Sequence, residues 1–404
     1  MKNTKTADKD IWIKASVIGS LWASVEIIMG SFFHNLQLPF AGTMLAFFTV
    51  AFVVSVLQIW PSRGLIWRAG LICAIMKSIS PSAVILGPMT GIFLEAVLIE
   101  LFIFLFGRNL MGYIIAGIMA MLSVLFHKLF TLLIIYGWDA VTILSNLYHF
   151  AMKQLHVSNI DPMHAIWILV SVYIFLGTVS AVFGYFIGKK ANGIKNDEKR
   201  TVDLKFSEAD DFIFLSEDQK FSVSLLVLNI ILVVTGLLLI NLYGLYYGLA
   251  FAVFYILFSM YRYKNALRQF RRPFLWVQLI TLTILAWLFY MDNGEINFFN
   301  TEGLIVGIEM AIRAVIVILG FSAISVELRN PIIKTVLYKK GFSNFYNALG
   351  LAFSALPAVI SNISKPREII KKPFDTIVNI LLYTDSLYVA FSESEQQKNK
   401  HHNR

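Results

Sequence analysis

In the first half of this sequence, seven ionisable side chains within or beside long apolar runs are candidates for chemistry. They are Glu26, His34, Lys77, Glu95, Glu100, His127 and Lys128. In a hydrocarbon environment such groups are costly, so those that are present usually pair with one another or mark a binding site. These seven residues are therefore the first candidates for a binding or catalytic site.

The segment after Lys77 combines a cation with a break in the hydrophobic pattern. Ser78-Ile79-Ser80-Pro81-Ser82 separates two apolar runs, and Gly87-Pro88 interrupts the second run. A segment broken by Gly and Pro frees backbone groups that can line a cavity, and a nearby ammonium group can pair with an anion. The pattern predicts a substrate site that contains Lys77, Ser78, Ser80 and Ser82. The alternative is a structural kink from which Lys77 extends to the membrane surface.

Four further residues are predicted to belong to this site. Glu26 and His34 lie in the outer part of the first apolar run, and Glu95 and His127 lie in two later runs. Glu95 and Glu100 are five residues apart and therefore point to different faces of one helix. The alternative for these carboxylates is structural, because His127 and Lys128 could neutralise one of them in a buried ion pair.

Known catalytic and metal-binding patterns are missing from the sequence. It contains no HExxH, no GxSxG and no Walker lysine loop. Its single cysteine, Cys73, lies in an apolar run and can form neither an intrachain disulfide nor a CxxC site. We predict neither an enzymatic activity nor a cofactor or metal, and any ATP hydrolysis would require another chain.

The elements that must position these residues are membrane helices. Hydrophobic residues make up 57% of the chain, too many for a water-exposed globule. Apolar runs of about 20 residues favour helices, so the predicted fold is all-α, with ten or eleven spans in two blocks. The first block, residues 1–188, has predicted helices near 11–33, 39–60, 64–77, 83–107, 109–136 and 163–188. The second block, residues 221–404, has predicted helices near 221–241, 243–261, 273–291 and 304–327.

Charged residues predict the parts of the chain outside the membrane. Residues 189–220 form a predicted cytoplasmic linker, and the basic region 329–372 is predicted to lie on the cytoplasmic surface. Residues 374–391 carry Asp375 and Asp385, which predicts a final helix packed on protein rather than a lipid-facing span.

The distribution of Lys and Arg predicts the orientation. Arg63, Arg68, Arg108 and Lys189 lie in turns that are all cytoplasmic if the N-terminus is cytoplasmic, whereas the acidic 292–302 loop is external. The net charge of +9 is therefore explained by topology and does not indicate nucleic-acid binding. The chain is predicted to be a multi-pass protein of the cell membrane, surrounded by lipid.

The first helix carries two rows of small residues. Ala15, Gly19 and Ala23 are spaced four apart, and Ser16, Ser20 and Ser24 form a second row beside them. Small residues at this spacing let another helix approach closely in a membrane. The first row is predicted to be a helix-packing interface, either within the first block or with another part of the chain.

These features resemble the energy-coupling factor (ECF) vitamin transporters. The first block, with its Ala15-Gly19-Ala23 row, resembles their substrate-binding S component. The second block resembles their transmembrane T component in three segments. These are Glu327-Leu-Arg-Asn-Pro331, Phe345-Tyr-Asn-Ala-Leu-Gly-Leu-Ala-Phe-Ser-Ala-Leu-Pro357 and Thr384-Asp-Ser-Leu-Tyr-Val-Ala-Phe391.

The resemblance implies an importer of a small polar organic metabolite or vitamin-like solute, energised by separate ATP-binding-cassette ATPase subunits. The family's T component docks its ATPases through Ala-Arg-Gly motifs, which this chain lacks, so Arg329 and Arg367 are the candidate substitutes. Met1 is followed by Lys2 rather than by the His of nickel and cobalt members, which favours an organic substrate.

Two other functions remain open from the sequence. One is an integral membrane enzyme or lipid-handling protein whose polar centre contains His127, Lys128, Glu95 and Glu100. The other is a scaffold that recruits soluble partners through the basic 329–372 region.

Overall fold

The structure is a computed structural model in which most of the chain is placed. It describes residues 2–36, 40–77, 86–154, 162–195, 222–263, 270, 273–292, 295–296, 299–327, 343–362, 369 and 371–402. The helices of the first block are α1 (Lys2–Asn35), α2 (Ala41–Ile59), α3 (Leu65–Lys77), α4 (Leu86–Phe106), α5 (Leu110–Tyr136), α6 (Asp139–Gln154) and α7 (Pro162–Lys195).

The second block continues the helical pattern. Its helices are α8 (Val223–Tyr243), α9 (Leu245–Arg262), α10 (Pro273–Phe289), α11 (Thr301–Glu327), α12 (Ser343–Asn362), α13 (Pro373–Leu382) and α14 (Thr384–His402). Between α10 and α11, β1 (Met291–Asp292) pairs antiparallel with β2 (Glu295–Ile296). This two-residue pairing is the β structure among the described residues, and the prediction of an all-α fold is confirmed.

Eight helices in the described part of the chain are long and apolar enough to cross a membrane. They are α1, α2, α4, α5, α7, α8, α9 and α11. The predicted spans α3 and α10 contain 13 and 17 residues. At about 1.5 Å per residue they reach roughly 20 and 26 Å, less than the ~30 Å of a hydrocarbon core. The prediction of ten or eleven spans therefore exceeds the number of helices that meet the length requirement.

Helix α6 contacts both blocks and was not predicted, since the predicted helices of this part of the chain cover only 109–136 and 163–188. Its buried residues Ala140 and Ile143 pack against Ala286 of α10 and Met310 of α11. The side-chain amide of Asn146 donates to the Phe289 carbonyl at 2.9 Å. The apolar core of α8, α9 and α11 is otherwise separate from that of the first block.

Helix α12, the described helix of the basic region, lies along α1, a contact that the sequence did not predict; the cytoplasmic position of 329–372 stays a prediction. Asn344 donates to Asp8 at 3.1 Å, and the rings of Phe345 and Trp12 are 5.3 Å apart. Beyond the end of α12, Ile369 packs in a cluster with Met29 near the other end of α1. Helix α12 contains no Asp, Glu, Lys or Arg, so its side chains can pack against α1, and the charges of the basic region flank it.

Helices α13 and α14 return along the first block. Their apolar side chains are buried in its core, which confirms a final helix packed on protein. These residues are Ile377, Val378, Ile380, Leu381, Leu387 and Phe391. The Tyr388 hydroxyl of α14 donates to Asp10, which lies near the N-terminal end of α1. This hydrogen bond and burial raise the pKa of Tyr388.

The predicted linker begins later than the charge pattern indicated. Helix α7 continues to Lys195, so residues 189–195 are helical. The rest of the predicted linker, 196–220, lies outside the described residues.

Candidate functional site

The small residues of α1 pack closely against protein. Ala15, Gly19 and Ala23 are fully buried, and a Cβ atom at Gly19 would lie 2.8 Å from the Ile72 side chain of α3. This row therefore meets a helix of the first block, one of the two predicted alternatives. The second row is also fully buried, and each of its serine hydroxyls donates to a carbonyl of α1 itself.

Lys77 and Glu26 form an ion pair inside the first block. The Lys77 ammonium lies 3.5 Å from the Glu26 carboxylate and donates to the Glu26 carbonyl at 2.7 Å. Both side chains are nearly buried, with exposed fractions of 11% and 7%. The Thr49 hydroxyl of α2 donates to the same carboxylate at 3.3 Å. A Cβ atom at Gly30 would lie 2.9 Å from the ammonium, so this glycine leaves room for the lysine.

The sequence did not predict this ion pair, in which the carboxylate balances the charge of the ammonium. The assignment of Lys77 and Glu26 to a substrate site stays a prediction. The other predicted residues of this segment, Ser78, Ser80 and Ser82, lie outside the described residues, as do the proposed ATPase contacts Arg329 and Arg367. His34 lies in α1, and its side chain is also outside the described part.

Glu95 lies inside the first block, near the Lys77–Glu26 pair. Its side chain is 4% exposed, and its Oε1 atom is buried without a hydrogen-bond partner among the described residues. Glu26 is close enough to act on it electrostatically. The two carboxyl groups, together with Lys77 and Thr49, place polar atoms of four helices in one region of the block.

Glu100 has a structural role at the start of α3. Its carboxylate accepts hydrogen bonds from the backbone N–H groups of Gly64 at 2.7 Å and Ile66 at 2.8 Å. The first N–H groups of a helix have no partner within the helix, and a carboxylate there also complements the helix dipole. Glu100 thus stabilises the α3 terminus from α4.

His127 and Lys128 contact hydroxyl groups instead of Glu95 or Glu100. The His127 Nε2 atom is 3.0 Å from the Thr90 hydroxyl. The Lys128 ammonium donates to Thr43 at 2.7 Å, and Thr43 is 2.9 Å from the Tyr173 hydroxyl. The predicted ion pair between these residues and a carboxylate is wrong for the described structure. The four groups proposed as an enzyme centre are therefore distributed over separate contacts.

Arg313 is a buried cation that the sequence analysis did not include. From α11 it donates to the Tyr136 carbonyl at 2.6 Å and to the Asn241 side chain at 2.7 Å, and it lies 3.4 Å from Asp139. Gly137 has φ +77°, and a Cβ there would overlap the guanidinium at 1.9 Å. The sequence shows an arginine within an apolar run, which indicates a buried polar contact. It does not show that this contact joins the two blocks.

The second block contains a buried hydrogen-bonded network at the end of α11. Glu327 is 1% exposed and accepts from the Ser222 N–H at 2.7 Å and from the Tyr263 hydroxyl at 2.9 Å. Asn229 donates to Tyr263 and accepts from the Tyr255 hydroxyl, both at 2.9 Å. The first segment that resembles the T component, Glu327–Pro331, thus begins at a carboxylate that is fixed within the second block.

These helices and their buried polar groups define an all-α, multi-pass membrane protein. No protein-family model, curated protein or solved structure matches the chain.

Proposed function

We propose that the chain is the membrane part of an importer for a small polar organic metabolite or vitamin-like solute, energised by separate ATPase subunits of the ECF type. The first block binds the solute, and the second block transmits the action of the ATPases. In this proposal the protein lies in the cell membrane with its N-terminus in the cytoplasm.

The observation that carries this proposal is the packing of α12 along α1. Trp12 contacts Phe345 of α12. Ser16 and Ser20 follow Trp12 at intervals of four residues and therefore lie on the same face of α1. Both serines are fully buried, and their hydroxyls donate to carbonyls of α1 itself, so this part of the face presents only short side chains. Small rows let helices approach closely without interlocking large side chains. A displacement of α12 would therefore act directly on the helix that carries Glu26.

The alternative functions receive less support from the described contacts. An intramembrane enzyme needs its reactive groups within reach of one substrate atom. Glu95, Glu100, His127 and Lys128 instead have four different environments. The scaffold hypothesis relies on the basic residues of the 329–372 region, most of which lie outside the described residues, and the uncharged α12 within this region is packed on the first block.

Co-expression with ATPase subunits tests the proposed function. The full chain is purified by affinity tag from membranes that contain candidate ATP-binding-cassette ATPases, and the complexes are weighed by native mass spectrometry. We expect two ATPase chains per membrane chain and a retained small molecule. Uptake of that molecule is expected only with ATP and both partners present. A bound lipid without any ATPase would contradict the importer and favour the lipid-handling function.

Replacing Phe345 with Ala tests the role of the α12 contact. Phe345 is 6% exposed, and truncating a buried Phe typically costs about 3–5 kcal/mol, so α12 should pack less stably on α1. We expect faster hydrogen exchange across 343–362 and reduced ATP-driven uptake, with the retained molecule still bound. Phe130→Ala is the matched control, since Phe130 is 65% exposed on α5. Unchanged uptake together with a loosened α12 would argue against coupling through this helix.

A further inference from the structure

Three polar side chains from three helices of the first block meet at one point. Thr43 lies near the start of α2, Lys128 in the second half of α5 and Tyr173 in α7. The Lys128 ammonium donates to Thr43 at 2.7 Å, and the Thr43 and Tyr173 hydroxyls are 2.9 Å apart. Thr43 is 7% exposed and Tyr173 is 4% exposed. Lys128 is half-buried, so part of its side chain is exposed at the surface of the first block.

The cluster has more hydrogen-bond donors than its own acceptors can use. If the Thr43 hydroxyl donates to Tyr173, the hydroxyl hydrogen of Tyr173 has no acceptor among the described contacts. If the Tyr173 hydroxyl donates to Thr43, the same is true of the hydroxyl hydrogen of Thr43. In either case one O–H hydrogen and two ammonium hydrogens have no acceptor among the described contacts. An arrangement with spare donors and one positive charge is suited to an anionic acceptor.

The charge of Lys128 is also uncompensated, in contrast to that of Lys77. Lys128 has no carboxylate within ion-pair distance among the described residues, whereas Lys77 lies 3.5 Å from Glu26. The charged nitrogen is 5.7 Å from the centre of the Phe40 ring, and Phe40 is 69% exposed. A cation over an aromatic face is stabilised, and the exposed ring provides an apolar surface next to the charge.

We propose that Lys128, Thr43 and Tyr173 bind the carboxylate or phosphate group of a small organic anion, with Phe40 contacting its apolar part. This inference rests on the proposed importer function and specifies its substrate class. In this proposal Lys128 is the cation that binds the anion, because the charge of Lys77 is already balanced by Glu26.

Chemical labelling of lysines tests this site without requiring transport. The full chain in uncharged dodecyl maltoside is treated with an acetylating reagent, and the labelling rate of each lysine is measured by mass spectrometry. Sodium benzoate, sodium phosphate and dihexanoyl phosphatidylglycerol are added in separate titrations. Lys153, which is exposed on α6, is the internal control.

We expect benzoate or phosphate to slow the acetylation of Lys128 at concentrations that leave Lys153 unaffected. Thr43→Val and Tyr173→Phe retain the lysine but remove a hydroxyl, so each should raise the half-protecting concentration roughly tenfold or more. Equal protection in wild type and both variants would overturn the assignment, as would no protection by any probe. Protection by phosphatidylglycerol alone would assign the cluster to a lipid headgroup and overturn the solute site.

The labelling result and the ATPase experiment can fail independently. Protection of Lys128 without ATPase binding would support the anion site and contradict the proposed importer function. ATPase-dependent uptake without protection of Lys128 would support the importer function and contradict the anion site.

Discussion

Replacing Lys77 with Met is expected to lower the free energy of unfolding by about 3–5 kcal/mol, because it leaves the Glu26 carboxylate buried without its partner. The loss is measured as a lower midpoint of thermal unfolding of the purified protein in detergent. This expectation differs from that for a substrate contact, whose removal would lower affinity and leave the fold intact.

A double variant and a surface pair provide the controls for Lys77. Lys77→Met combined with Glu26→Gln removes both charges and should recover much of the lost stability, since neutral residues of similar size need no ionic partner. Lys190 forms a more exposed pair with Asp375 at 3.2 Å, so Lys190→Met should change stability by less than about 1 kcal/mol. An unchanged unfolding midpoint in Lys77→Met together with lost substrate binding would restore Lys77 as a substrate contact.

Replacing Arg313 with Ala should loosen the contact between the two blocks. The guanidinium binds the end of α5, the start of α6 and Asn241 of α8, and its side chain is 8% exposed. Loss of these interactions is expected to cost about 3 kcal/mol locally, which corresponds to roughly hundredfold faster hydrogen exchange in α6. The measurement is hydrogen–deuterium exchange of the full chain by mass spectrometry, with the core of α2 as the internal reference.

Two further variants define the role of the guanidinium. Arg313→Lys keeps the charge but cannot reach three partners, so exchange in α6 should be intermediate. Lys153→Ala removes an exposed cation from α6 itself and should leave exchange near that of wild type. If α6 exchanges at the same rate in wild type and Arg313→Ala, the blocks are held together by the apolar contacts of Ala140, Ile143 and Met310 instead.

The class of protein could be predicted from the sequence because it depends on local properties. An apolar run of about 20 residues must satisfy its backbone hydrogen bonds internally in lipid, and a helix does so without other segments. The spans α1, α2, α4, α5, α7, α8, α9 and α11 follow from this requirement. The packing of α12 on α1 was not predicted, because the charges of 329–372 were averaged over a region in which α12 itself has none.

Which polar groups meet was decided only by the tertiary structure. The sequence identified Glu26, Lys77, Glu95 and Lys128 as intramembrane ionisable residues, since burial of a charge is costly wherever it occurs. It did not pair Lys77 with Glu26, which is 51 positions away, or Lys128 with Thr43, which is 85 positions away. Such contacts depend on which helices are neighbours and on how each is rotated, and hydrophobic runs contain little information on either. The sequence therefore determined that this is a membrane protein with buried charges, and the packing of α1–α5 and α7 decided which of these charges have an ionic partner among the described residues.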